Sequence, residues 1–194
     1  MKKILIIILF LNTFYNHAYS IEPDIFVQST VDRASQILAK NISKQEKINE
    51  LKIIAKETVD IKGISLYSLG SARKVLNDSQ KTVYFNLFEN YFLKSFSSRL
   101  SEYTNPKIVV RSKKIINKNY TIVNSALIST PERPEIKIDW RVYTKNPDNP
   151  LIRDLIIEGL SLVRTQKEEF SSILNSNDGD INALFKSLEN FTKN

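Results

Sequence analysis

From Tyr84 to Tyr103 the chain places Phe85, Phe88, Phe92, Phe96, Leu100 and Tyr103 at steps of three and four. That spacing is one face of an α-helix. Tyr84, Leu87 and Tyr91 widen the face beyond what docking on a single neighbour needs, so such a helix must be covered on two sides or wall a cavity. Asn77 followed by Gln80 reads as its N-cap, and Pro106 bounds its end. Three helices are expected before it. The first runs from Pro23 or Asp24 to about Lys40, with Phe26, Thr30, Val31, Ala34, Ile37 and Leu38 inward. The second opens on a Ser43–Glu46 capping box and turns Ile48, Leu51, Ile54 and Ala55 inward. The third covers Ile61 to Leu69 and stops at Gly70.

After Pro106 the period changes from 3.6 to 2. Lys107–Ser112, Tyr120–Ser129, Glu135–Tyr143 and Leu151–Ser161 are rich in β-branched and aromatic residues, with polar breaks at 113–119, 130–134 and 144–150. Ile136, Ile138, Trp140 and Val142 alternate with polar residues, giving one buried face and one wet face. Short connections favour an antiparallel meander of four strands. Helices over about Leu162–Leu174 and from Asp180 onward close the chain. The expected class is α+β: a four-stranded curved antiparallel sheet packed against a set of helices, with an apolar cavity between the layers.

The first twenty residues read differently. Met1-Lys2-Lys3 precedes an apolar run from Ile4 to Leu11, and Ala18 and Ser20 supply small residues two apart. This is the pattern of a cleaved signal peptide, and the run is too short to span a bilayer. Residues 1–20 are therefore expected to be a leader and 21–194 one exported domain. The absence of cysteine in a domain of this size fits a bacterial periplasm, where no covalent staple is needed. The formal charge is +7, two of the positive charges being leader lysines. A basic exported domain suits anionic membranes or acidic proteins; no nucleic-acid motif is visible.

Composition removes most catalytic chemistry. The only histidine, His17, lies in the leader, so no Ser-His or Cys-His pair and no zinc site built on His or Cys is expected in the mature chain. Asp139, Asp154 and Glu158 leave a carboxylate pair open, and no Gly-rich phosphate loop is present.

Two stretches carry a family resemblance. One is Leu69-Gly70, Ser79-Gln80, Tyr84-Phe85-x-x-Phe88, Tyr91, Leu100 and Tyr103. The other is Asp154-Leu-Ile-Ile-Glu158-Gly159-Leu-Ser161-Leu162, followed by Phe170 and Leu174. Together they resemble the MlaC family, periplasmic phospholipid-binding components of a bacterial lipid transport system, also known as the toluene-tolerance auxiliary family. The chain departs from it where Ala72, Arg73 and Lys74 follow Ser71, and at Pro150, positions near which many relatives carry Trp.

The resemblance implies a monomeric periplasmic carrier that shuttles phospholipid between an inner-membrane transporter complex and an outer-membrane lipoprotein complex. It implies no cofactor, no metal and no catalysis. Two acyl chains carry on the order of 30 methylenes, so exposing them to water would cost roughly 24 kcal/mol at ~0.8 kcal/mol each. A dry cavity must replace that exposure. Candidate lipid-binding residues are Phe85, Phe88, Phe92 and Phe96 from the helix, and Val110, Val123, Ile138, Trp140, Ile157 and Leu160 from the sheet. Arg111, Lys113, Lys114 and Lys118 form a basic hairpin suited to an acidic partner. The alternatives are a small-molecule binder or enzyme on a cone-shaped α+β scaffold, with a polar pocket, and a protein-binding adaptor with a filled interior.

Overall fold

In a computed structural model, residues 20–131 and 133–193 are described. The expected leader, apart from Ser20, lies outside them.

Each early helix starts where a cap permits. α1 (Pro23–Ala39) has Pro at its first position, where no amide hydrogen is needed. α2 (Lys44–Thr58) opens with the reciprocal Ser43–Glu46 box. α3 (Ile61–Ser68) is capped by Asp60, whose carboxylate accepts from the Gly63 amide. It gives way to a 3₁₀ turn, Gly70–Lys74, at a left-handed glycine (φ +60°). α4 (Asp78–Leu100) begins with a second box, Asn77 and Gln80. The inward stripe of α1 also includes Val27, which is fully buried.

The sheet has five strands in the order β1-β2-β3-β4-β5, every neighbour antiparallel: β1 (Ile108–Asn117), β2 (Tyr120–Leu127), β3 (Ile136–Tyr143), β4 (Leu151–Ile157) and β5 (Leu160–Ser161). The expected fourth strand, 151–161, is thus two. Glu158 and Gly159 both have positive φ (49° and 84°), which is the two-residue turn that reverses a strand, so the chain folds back instead of running on. β1 also extends to Asn117, into the expected polar break at 113–119, leaving only 118–119 as the turn. Its lysines do not end it, because it is an edge strand whose outer half faces solvent, where Lys is well suited.

Strand alternation separates two faces. On one, β3 sets Ile138 and Trp140 opposite Ser125 and Val123 of β2, and opposite Ile157 and Leu155 of β4. The Trp140 indole donates to the Ser125 hydroxyl (2.8 Å), which donates to the Ile138 carbonyl, so the polar atoms beneath this face are paired. α1 lies against β1 and β2, and Val59, just after α2, bridges to Ile152 of β4. α5 (Leu162–Asn175) and α6 (Ile181–Lys193) pack on each other; α5 also contacts β4, and α6 lies along α4.

Candidate functional site

The hollow between the layers lies where two parts of the interior meet. The main core runs from Val27 through the sheet to Leu188. A separate cluster, Ile37, Leu38, Leu51 and Ile54, joins the far halves of α1 and α2. Between them is an apolar cavity of about 140 Å³. α1 contributes Val31, Ala34 and Leu38; α2 contributes Leu51 and Ile54. The end of α4 supplies Phe96 and Leu100, and the loop after it Tyr103 and Pro106. Leu127, Ile138, Trp140, Ile152, Leu155 and Ile157 form the sheet wall.

The threonine and serine hydroxyls that line it are satisfied within the protein. The Thr30 and Thr58 hydroxyls donate to the Phe26 and Ile54 carbonyls, and Ser35 donates to the Pro106 carbonyl. No acidic or basic side chain lines the cavity. A lining this apolar suits hydrocarbon better than water. At this volume it accepts something about the size of benzene. Two acyl chains require the layers to part.

Of the ten candidates, Phe96, Ile138, Trp140 and Ile157 line this hollow. The other helix aromatics are elsewhere. Phe88, 1 % exposed, meets Phe170 edge-on (centroids 6.0 Å) and stacks on Phe92. Phe85 packs beside Tyr84, under the Lys62 ammonium. Val123 is fully buried in the main core, and Val110 packs on it with its amide held by Gln28. Leu160, on the short β5, is 70 % exposed. In the aromatic pile Tyr84 donates to the Ser65 carbonyl, and burial raises its phenol well above the ordinary value. Tyr91 donates to Gln166; burial, aided by the charge of Glu169, raises it too.

The candidate set held nothing from the α1 and α2 walls, and it also lacked Leu100, Tyr103 and Pro106 at and after the end of α4 and Leu127, Ile152 and Leu155 of the sheet. The signal of the α1 and α2 walls was present, since Val31, Ala34, Leu38, Leu51 and Ile54 belong to the inward stripes. Periodicity gives the direction of a side chain, not whether it meets atoms or a void.

The three carboxylates considered for chemistry serve the framework. Asp154, 3 % exposed, accepts from the Ser161 hydroxyl (2.6 Å) and the Val163 amide (3.1 Å), and Ser161 in turn caps α5. Asp139 accepts from Asn124, and Glu158 from the Lys137 amide. Among the described residues no cluster of acidic side chains could hold a metal ion, and no helix is long and apolar enough to cross a membrane.

The family model described as "MlaC protein" matches residues 28–190. The structure is also similar to that of a phospholipid-binding protein from Ralstonia solanacearum, solved in complex with a phospholipid. The TM-score is 0.74 and the identity 16 %, over 89 % of this chain and 98 % of that one. At that identity the likeness is one of fold.

Proposed function

Since the chain belongs to the MlaC family, we propose that it is a periplasmic phospholipid carrier, binding acyl chains between helices and sheet and moving lipid between inner- and outer-membrane complexes. The observation that carries this reading is the apolar cavity, which no charged side chain lines and whose walls come from two separable core clusters. Hydrocarbon gains ~0.8 kcal/mol per methylene on leaving water, so lipid entry can offset parting the α1–α2 cluster from the sheet. The likeness of fold to a phospholipid-binding protein supports the same cargo. Export follows from the leader pattern of residues 1–20, and neither catalysis nor a cofactor enters this reading.

Solvent extraction of the purified protein and mass spectrometry test it. The expected result is glycerophospholipid near one molecule per chain, with reloading of stripped protein from vesicles. A protein that yields no lipid and takes none from vesicles defeats the proposal.

A further inference from the structure

The opposite face of the sheet holds a second and larger hollow, about 470 Å³, between β1–β4, α3 and the start of α5. Two β-bulges are directed at it. In β1, Ile116 is the unpaired residue between the Ile115–Thr121 and Asn117–Tyr120 pairs. In β4, Arg153 is the unpaired residue between the Ile152–Val142 and Asp154–Arg141 pairs. Bulges re-aim side chains, and both of these line the same hollow.

Its cationic groups are of two kinds. Arg153 is fixed: it donates to Asp60 (2.6 Å) and to the Tyr120 hydroxyl (2.5 Å), and its guanidinium lies 3.5 Å from the centroid of the Tyr143 ring. Arg141 is not fixed. Its one acidic neighbour, Asp154, stands 3.9 Å away and already accepts from Ser161 and Val163. No hydrogen bond from the Arg141 guanidinium is formed among the described residues, and its side chain is 46 % exposed. Around it the walls are Tyr67, Tyr120, Ile116, Ile122 and Val163.

We propose that this hollow is a binding site for a small anionic amphiphile. A phosphate or carboxylate head sits on Arg141 beside the rigid Arg153, and a short apolar body lies between Tyr67, Tyr120 and Ile116. Planar guanidinium donors suit such heads, and the volume is that of a small-ligand pocket. The site is independent of the lipid cavity, because Ile122 and Arg141 alternate along their strands with Val123 and Trp140 and face the other way.

Amide-resolved NMR titration of the whole protein separates the two sites. Octyl phosphate should shift Gly63, Tyr120 and Ile122 saturably. Inorganic phosphate should shift the same residues about tenfold more weakly, and octyl glucoside should leave them unmoved. Arg141→Gln should weaken octyl phosphate about tenfold with an unchanged thermal midpoint, and Arg141→Lys should restore part of the loss. Ala34→Trp, which fills the lipid cavity, should leave these shifts intact, so failure of the carrier reading does not touch this one. The proposal is overturned by shifts confined to cavity residues such as Leu38 and Phe96. Equal binding of octyl glucoside or of inorganic phosphate, or wild-type binding by Arg141→Gln, overturns it equally.

Discussion

Helix α4 passes through two surroundings along one continuous apolar stripe. Over Tyr84–Phe92 its aromatic rings meet Phe170, Phe185 and Phe191 from α5 and α6, and no ring along this stretch borders the hollow. One turn further on, Phe96 stacks on Phe92 (centroids 5.7 Å), yet it and Leu100 face the hollow beneath α1 and α2. The three-and-four spacing runs through both halves, while the aromatics thin from five over Tyr84–Phe92 to Phe96 alone over Leu93–Leu100. The neighbours differ more: two helices interdigitate with the first half, whereas α1, α2 and the sheet do not quite close over the second. A side chain is core or cavity wall according to what stands opposite it, and the proposed carrier role would use both, a filled half to hold the fold and an unfilled half to receive cargo.

The contrast can be broken most sharply at Phe88. Phe88→Ala should cost about 3–5 kcal/mol in chemical denaturation, because the ring is enclosed by close-packed neighbours. Phe96→Ala, two stripe positions further along, should cost less, about 2–3 kcal/mol, because its partly buried ring already lacks contacts on the side of the hollow. Equal losses at the two positions would mean that the halves are packed alike. Ala34→Phe sharpens the functional side: filling the hollow should change stability by less than ~1 kcal/mol while lowering co-purified lipid about tenfold, read by extraction and mass spectrometry. The smallest effect concerns how α1, a wall of the hollow, is tied to β1. Lys113 pairs with Glu22 and with Asp24 (2.7 Å) at the start of α1. The Lys113 hydrogen bond, against a smaller opposing effect of burial, holds Asp24 below the ordinary carboxylate value. The stability this contributes is complete above the unfolded value near ~3.9 and is lost as pH falls through the lower folded value. Lys113→Ala should therefore flatten the acid limb of the stability curve by less than ~1 kcal/mol, the ordinary size for an exposed pair.

Much of the framework was legible because local rules state it. The Ser43 and Asn77 boxes, the Gly70 stop and the alternation of β3 each follow from one or two residues and their near neighbours. The strand limits were less so. The lysines of β1 look like a break until β2 supplies hydrogen-bond partners. Glu158 looks like strand until its backbone takes a left-handed turn, a geometry its side chain gives no sign of.

The sequence by itself determined the class of the fold, the inward stripe of each helix and an excess of apolar surface, because these depend on period and capping within a few residues. Only the tertiary structure decided which apolar surfaces would meet. It placed the void under α1 and α2, closed the aromatic pile, and turned Arg141 and Arg153 toward a second hollow on the other face of the sheet. The physical reason is that a cavity is a failure of contact between elements distant in the chain, and no residue encodes that failure alone.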